Sequence, residues 1–462
     1  MDRFKEISSQ LHSKTFEVEL QDCKVTRCSV ETPEEYSGVG KIQQDDDGNL
    51  HFQMETSDNF SILLDSVGGE PAMESGKLIP LSSQFKVTGI DPDGGVWESS
   101  ASLISTSLDL INETAVIKFA PKTWRLKSEA DPKLIQKKWS VAGRLRPLSA
   151  GKQGTGSKED SFEDDLWNVT TENEIDVHTF TYIAANKDEL ELRATLLNKG
   201  WSLLCGCPLQ PFIQSSIADG VETIQITKVY PGLDRNKLTP FIDPRGGKIY
   251  DHLDFIKFWL GTPKRLQEQL VSWESYKGHK AKRGAFASPI DDIFQHFYRV
   301  QFAYGADMEN AVQVLTSAIE GLISSHFKNE MDGDKAVLQP IAEAQSFIDG
   351  IKENLDVRVQ SIINGALSRA SAPTTKSVLL RLVEQGVISE SLVKIWSKAR
   401  NSPAHGTLLN HSSDVETQLH IDGFFASFEI FKRLVFCLIG YTGSHVNYEK
   451  PGWPTENWPP AS

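Results

Sequence analysis

The chain has 462 residues, of which 39% are hydrophobic and 24% charged. This composition excludes a largely disordered protein, and the length predicts two or three globular domains. The formal net charge of −14 excludes the broad basic surface of a general nucleic-acid coat, so any action on RNA must use a small local site or a specific partner.

Two further global features restrict the class of protein. The five cysteines are too few and too scattered for a disulfide framework. The opening stretch MDRFKEISSQLHSKTFEVEL lacks the apolar run of a signal peptide, and the longest apolar stretch, Leu434–Ile439, is far too short to span a bilayer. We therefore expect a cytoplasmic protein with no membrane partner.

Residues 1–245 are predicted to form a β-rich domain with a sandwich or barrel-like fold. Short segments with period-two alternation are separated by Gly, Pro and Asp, which is typical of such folds. These segments are TFEVEL, YSGVGKI, LHFQME, AVIKF, TFTYIA and VETIQITKVY, and the run DDDG between the second and third predicted strands indicates a hairpin. A stretch rich in Gly, Ser and acidic residues, about 149–165, predicts a mobile loop.

The pattern becomes helical after this domain. We expect a helical connector over 246–289 and an all-α domain over 290–445, which makes the chain an α+β multidomain protein. Predicted helices include DMENAVQVLTSAIEGLISSHF, AVLQPIAEAQSFIDGIKENL, VQSIINGALSRA, TKSVLLRLVEQG, SESLVKIWSKARN with Ser389 as N-cap, and FFASFEIFKRLVFCLIGY. Residues 446–462 contain four prolines and no periodicity, which predicts an extended tail.

The last predicted helix carries a continuous apolar stripe. Its members are Phe424, Phe428, Phe431, Val435 and Leu438. The stripe is either the core of a monomeric bundle or part of a dimer interface.

The most informative stretch is KIWSKARNSPAHG, residues 394–406. Arg400 and His405 are five residues apart, so an unbroken helix would point them about 140° apart. Pro403 disfavours the helical conformation at Ser402, which can then cap a new turn. Arg400 would end one helix, and the junction would direct both side chains to one point.

This pair of residue types fits the cleavage of RNA without a metal ion. RNA contains its own nucleophile, the 2′-hydroxyl. His405 titrates near neutral pH and can move the proton, while Arg400 stays charged and binds phosphate through paired donors. Asn401 can orient the histidine or donate to phosphate. The alternative is an Arg at a helix C-terminus followed by a capping turn with a surface His.

Three other residues are candidates for supporting roles. Glu320, on an earlier helix, can pair with Arg400 or with a lysine of the motif; otherwise it is a solvated helix residue. Lys394 and Lys398 are one turn apart and can contact RNA phosphates, or they form an ordinary polar face. Trp396 lies between them, and we expect it to pack in the core.

The helical block resembles the ApeA-like branch of the HEPN superfamily, whose members carry an R-N-x-x-x-H-G signature. Here the signature is Arg400, Asn401, His405 and Gly406, and the resemblance covers about 290–445. The stretch YSGVGKIQQDDDGNLHFQM is also similar to the N-terminal domain of ApeA-like proteins. The resemblance implies a helical bundle that dimerises through the helical domain, so that the Arg and His of two subunits share one composite site. It also implies a toxin or an anti-phage, abortive-infection effector.

Together these features predict a metal-independent endoribonuclease without a cofactor. Its substrate is RNA, and its N-terminal domain is the expected site for a phage-derived trigger or a regulatory partner. Two alternatives stay open. One is a non-catalytic HEPN dimer that binds a partner, and the other is a β-sandwich ligand-binding protein with a helical oligomerisation domain.

Overall fold

The structure is a computed structural model that describes residues 2–28, 34–57, 79–109, 114–142, 160–164, 167–174, 177–184, 186–228, 241, 255–262, 289–327, 335–351, 355–371, 374–404 and 414–459. The chain divides into two compact units. The first consists mainly of residues before 235, and the second of residues 196–208 together with those from 235 onward. An N-terminal β-rich part is thus followed by a helical part, as the sequence predicted.

The first unit contains one antiparallel sheet of fourteen described strands. The strands are β1 (Glu17–Arg27), β2 (Glu35–Gln44), β3 (Leu50–Thr56), β4 (Phe85–Ile90), β5 (Val96–Ser99), β6 (Ile104–Asp109), β7 (Thr114–Phe119), β8 (Thr123–Glu129), β9 (Gln136–Ala142), β10 (Asp160–Asp164), β11 (Trp167–Glu174), β12 (Val177–Ile183), β13 (Ile213–Ala218) and β14 (Val221–Thr227). Their order across the sheet is β10-β11-β12-β9-β13-β14-β8-β5-β4-β1-β2-β3-β7-β6.

Part of this sheet curls into a barrel-like half-cylinder. The rings of Phe52 on β3 and Trp124 on β8 lie 5.8 Å apart, although the strand order β8-β5-β4-β1-β2-β3 separates them by five steps. Five steps across a flat sheet would span about 24 Å. The side chains of β1 to β5, β7 and β8 therefore share one hydrophobic core. The strands form one curled sheet rather than two separate sheets packed face to face.

The predicted β2–β3 hairpin is confirmed. Ile42 pairs with Phe52 across the two strands, and Gly48 in the turn has a φ of 79°, a conformation that favours glycine. Asp45 accepts hydrogen bonds from the Asn49 backbone N–H (2.7 Å) and side-chain amide (2.9 Å), which closes the turn. A buried face on each strand and a turn rich in Asp and Gly are sufficient to set this register.

The six strand segments named from the sequence match β1, β2, β3, β7, β12 and β14, so eight of the fourteen described strands and two helices of this region were not predicted. Helix α1 (Arg3–Ser13) buries Phe4, Ile7 and Leu11, a helical spacing that precedes the first predicted strand. Helix α2 (Lys187–Cys205) lies within the region that was predicted to contain only strands. Within the predicted mobile loop, residues 160–164 form β10; residues 149–159 and 165 lie outside the described part. Both helices lie beside alternating strands, and a period of two residues does not reveal a helix, whose apolar positions repeat every three to four residues.

The second unit is helical. After the helical residues 255–262, here α3, its helices are α4 (Pro289–Ala306), α5 (Met308–Leu322), α6 (Lys335–Ile351), α7 (Val357–Ser371), α8 (Thr375–Glu384), α9 (Glu390–Ala404) and α10 (Asp414–Ile439). The predicted helices of 290–445 correspond to α5 through α10. Of the predicted connector, Phe255, Ile256 and Trp259 are fully buried, so this part belongs to the core of the helical unit.

The apolar stripe of α10 lies in the core of this unit. Phe424, Phe428, Phe431 and Val435 are at most 1% exposed. The ring of Phe241 lies 5.6 Å from that of Phe428 and 6.3 Å from that of Phe431. These four side chains therefore pack in the core of the single chain, while Leu438 is partly exposed; the oligomeric state stays a prediction.

The C-terminal residues form a hairpin, which differs from the expected extended tail. Strands β15 (Gly443–Val446) and β16 (Thr455–Trp458) pair antiparallel, and both Tyr448 and Trp458 are buried. The Tyr448 N–H donates to Glu429 Oε2 of α10 over 3.0 Å. Strands of four residues are too short to show a periodic pattern, and the aromatic side chains that drive the packing were not used as a signal.

Candidate active site

Helix α9 carries the motif, and the burial of one of its faces changes along the helix. Ser389 caps the helix, as predicted, because its Oγ accepts from the Leu392 N–H over 3.2 Å. Leu392 and Trp396 are buried, whereas Arg400 is exposed. Leu392, Trp396 and Arg400 follow one another at four-residue spacing, so they lie on one face of α9, which is buried at Leu392 and Trp396 and exposed at Arg400.

The end of α9 differs from the prediction. The helix continues through Ser402 and Pro403 to Ala404, so Arg400 does not end it. A proline removes one hydrogen bond of the helical ladder, and here that loss falls in the last turn, where the buried face of α9 holds the helix in place. His405 and Gly406 lie outside the described residues. The convergence of Arg400 and His405 therefore stays a prediction.

Arg400 and Asn401 line a cleft of about 270 Å³. Its walls come from α5, from the beginning of α8 and from the second half of α9. The lining residues are Glu320, Thr374, Thr375, Lys376, Trp396, Ser397, Arg400 and Asn401. A cleft of this size admits a short stretch of sugar-phosphate backbone, but not a folded nucleic acid.

Arg400 forms an ion pair with Glu320, which is one of the pairings expected from the sequence. Its Nε donates to Glu320 Oε1, and the two side chains are 52% and 33% exposed. Solvent screening limits the stabilisation from such a pair to about 0–1 kcal/mol, so its main effect is to orient the guanidinium. The Nη1 and Nη2 groups of Arg400 make no hydrogen bond to any other residue that the structure describes. These two groups can donate paired hydrogen bonds to the oxygens of a phosphate.

Glu320 is positioned by contacts of α5 with α4. After Leu322 the helix widens into a π turn, Ile323–Phe327, in which His326 Nε2 lies 3.0 Å from Asp292 Oδ2. The ring of His296 packs on Gly321, where an added Cβ would lie 2.6 Å from the ring. Burial lowers the pKa of His296, which favours the neutral ring at this contact. The glycine therefore lets α4 and α5 approach closely beside Glu320.

The two candidate lysines of α9 do not join Arg400 in the cleft. Lys394 lies 2.9 Å from Glu390 on the exposed side of the helix, and Lys398 is exposed one turn further on. Neither residue lines the cleft. A role for them in binding RNA phosphates outside the cleft stays a prediction.

Several residues of the cleft were not singled out by the sequence. Thr374, Thr375 and Lys376 form its wall at the beginning of α8, and the only signal was a threonine at an N-cap position. Trp396 is buried as predicted, at 3% exposure, but it also lines the cleft. The indole Nε1 of Trp396 and the hydroxyl of Ser397 are buried and have no hydrogen-bond partner among the residues that the structure describes.

A buried network of charges anchors the beginning of α9. Ser391 Oγ donates to Glu449 Oε1 over 2.7 Å, and Ser389 Oγ donates to the same oxygen. Glu449 also accepts from Arg433 of α10 over 3.4 Å. Arg433 in turn donates to Glu429 over 2.6 Å. The motif helix is thereby connected to the C-terminal hairpin and to α10 through polar contacts.

At the centre of this network, one carboxylate lies between two cations. Glu429 and Lys432 are 0% exposed, and the distance from Glu429 Oε2 to Lys432 Nζ is 2.7 Å. Burial alone would raise the pKa of Glu429, but Lys432 and Arg433 outweigh it and lower that pKa. Burial lowers the pKa of His445, 3.8 Å from Glu429, to about 4. His445 is therefore neutral at physiological pH.

Within the described ranges, no group of three His, Cys, Asp or Glu side chains is arranged to hold a metal ion. Likewise, none of the described helices is long and apolar enough to cross a bilayer. No known family model, curated protein or solved structure matches the chain.

Proposed function

We propose that the C-terminal unit is a metal-independent endoribonuclease of the HEPN type. The observation that carries the proposal is the position and hydrogen bonding of Arg400. It lies in a cleft, its Nε is held by Glu320, and its two Nη groups have no partner among the described residues. A guanidinium oriented in this way is preorganised to bind a phosphodiester.

In the proposed reaction the 2′-hydroxyl of the substrate attacks the adjacent phosphorus. His405 takes the hydroxyl proton, and the bond from phosphorus to the 5′-oxygen breaks. The leaving oxygen takes up a proton, which gives a 5′-hydroxyl end and a 2′,3′-cyclic phosphate. Arg400 stabilises the charge on the phosphorane, and Asn401, exposed at the same rim, donates to a phosphate oxygen.

The reaction needs proton transfer in both directions, and one Arg with one His provides few groups for it. We therefore propose a homodimer in which each copy contributes to a composite site. Since the α10 stripe is buried, the interface must use other residues. Among the described side chains of α6 and α7 none is buried, and Phe347, Val357 and Ile362 are 68%, 78% and 67% exposed. This helical pair has the apolar character of an isologous interface.

The dimer proposal is tested by mixing inactive subunits. Light scattering should give twice the mass of one chain, and Phe347→Glu should shift the protein to monomers. Mixtures of Arg400→Ala with His405→Ala chains should recover part of the activity that each lacks alone. A monomer with full RNase activity would contradict the composite site.

The biological role that we propose is that of a toxin or anti-phage effector. The N-terminal unit would then hold the helical unit silent until a phage-derived trigger or a regulatory partner binds. The supporting observation is that the chain divides into two compact units, of which one carries the candidate site. The net charge of −14 fits a nuclease that acts at one local site rather than along RNA.

A second candidate function is a non-catalytic HEPN dimer that binds a partner. The ion pair between Arg400 and Glu320 favours it, because a structural arginine would be paired in the same way. The half-exposed state of Arg400 favours catalysis instead. The third alternative, a ligand-binding β-domain, has less support: the cavity described in the first unit, beside Phe4 and Lys138, measures only about 30 Å³.

The experiment that decides between these functions is RNA cleavage by the full chain. Purified protein is incubated with cellular RNA in EDTA, and the new ends are analysed. We expect cleavage that Arg400→Ala and His405→Ala abolish. Arg299→Ala, which removes an exposed arginine of α4 outside the cleft, should leave cleavage unchanged. Folded Arg400→Ala protein with full activity, or wild-type protein without any cleavage, would contradict the proposal.

A further inference from the structure

The cleft wall opposite α9 is the N-terminal turn of α8. Thr374 caps this helix: its Oγ1 accepts from the Ser377 N–H over 3.0 Å. The first intrahelical bond runs from the Val378 N–H to the Thr374 carbonyl, at 3.1 Å. The backbone N–H groups of Thr375 and Lys376 precede it, and both residues line the cleft. Free amides and the helix dipole favour an acceptor or an anion at this wall.

Independent evidence for a ligand comes from α9. The side chain of Trp396 lines the cleft and is only 3% exposed, and its indole Nε1 has no hydrogen-bond partner within the described ranges. The neighbouring Ser397 hydroxyl is also buried and unpartnered. Native proteins leave few buried donors unpaired. Since an indole N–H can only donate, the group that it lacks is a hydrogen-bond acceptor.

The charges in the cleft indicate which acceptor it is. Among the described lining residues, Lys376 and Arg400 are the cations and Glu320 is the one carboxylate. Glu320 is already paired with Arg400. Lys376 is exposed and lies beside the free amides of α8. An anionic acceptor satisfies the lysine, the amides and the indole at once, whereas a neutral nucleobase would leave the lysine unused.

We propose that this cleft contains a second phosphate subsite, formed by the N-terminal turn of α8, Lys376 and the Trp396 indole. This inference rests on the proposed function: in RNA, Arg400 binds the scissile phosphate, and the second subsite binds the phosphate next to it. The substrate class is accordingly RNA that carries at least two consecutive phosphates. A dinucleotide without a flanking phosphate is bound through Arg400 and Asn401 and leaves the second subsite empty.

The test uses two uncleavable probes and the full chain. One is a 2′-O-methyl dinucleotide with a terminal 5′-phosphate, and the other is the same dinucleotide without it. Calorimetry should show that the terminal phosphate tightens binding to the wild type about tenfold. Lys376→Ala and Trp396→Phe should remove most of this difference, whereas Arg299→Ala should preserve it. Trp396→Phe should fold as well as the wild type, because the lost N–H has no partner in the free protein.

The outcomes separate the subsite from the nuclease. Equal affinity of the wild type for the two probes, or a variant that weakens both equally, would overturn the subsite. If Arg400-dependent RNA cleavage persists in that case, the proposed function stands without it. If the terminal phosphate is recognised through Lys376 but no RNA is cut, the cleft binds phosphate and the nuclease proposal fails.

Discussion

The two ends of α9 are stabilised in different ways. Its beginning is connected through Ser389 and Glu449 to a network of charges that is shielded from solvent. Its second half carries Arg400, which forms an ion pair with Glu320, and both side chains are partly exposed to solvent. Buried charges depend strongly on their partners, whereas exposed pairs contribute little to stability. The difference indicates that one end of the helix fixes its position and the other is available for chemistry.

The largest expected effect is at the buried end. Glu429→Gln removes the carboxylate between Lys432 and Arg433 and leaves a fully buried ammonium without its anion. We expect a loss of about 3–5 kcal/mol in the free energy of unfolding, measured with urea. Glu320→Gln, the matched change at the exposed end, should cost less than about 1 kcal/mol. If both variants lost the same free energy of unfolding, the two ends of α9 would not differ in how they are stabilised.

Acid should lower the free energy of unfolding through His445, which lies in the buried network of charges. The folded pKa of His445 is lowered from 6.5 to about 4, so between these values the unfolded chain binds a proton that the folded chain does not. Stability is therefore lost as the pH falls from 6.5 towards 4, by at most about 3 kcal/mol. His445→Gln should flatten this dependence, while His12→Gln, an exposed change in α1, should not. An unchanged slope in His445→Gln would exclude this origin.

A smaller effect is expected at the cap of α9. Ser389→Ala removes the acceptor for the Leu392 N–H and one of the donors to Glu449. Loss of an N-cap costs about 1 kcal/mol in the free energy of unfolding. Cleavage by folded protein should stay close to that of the wild type, because the cleft residues are two or more turns away. A large loss of activity with little loss of stability would mean that the cap acts on the site itself.

The sequence predicted the elements that have a strong local period. Apolar spacing indicated α5 and α8 to α10, and the DDDG run indicated the β2–β3 hairpin. It could not show that Trp396 lines a cleft as well as the core, since burial and proximity to a cavity follow from the same apolar position. The wall formed by Thr375 and Lys376 depends on tertiary packing that brings α8 against α9, which no local pattern reports.

The buried charges of α10 also could not be predicted from the sequence. Glu429, Lys432 and Arg433 have the i, i+3 and i+4 spacing of an ordinary solvated helix face, yet all three are buried. Their burial results from the hairpin that contains Tyr448 and Trp458. Because its strands are only four residues long and the segment that joins them contains two prolines, the hairpin has no period to detect.

The role of Arg400 in cleavage is tested with strands of 2′-deoxynucleotides that each contain one ribonucleotide, incubated with the full chain in EDTA. We expect cleavage only on the 3′ side of the ribonucleotide, with a 2′,3′-cyclic phosphate and a 5′-hydroxyl as the new ends. Arg400→Ala should lose this cleavage and Arg299→Ala should keep it. Cleavage at deoxynucleotide linkages, or cleavage by folded Arg400→Ala at the wild-type rate, would contradict the claim that Arg400 directs attack by the 2′-hydroxyl.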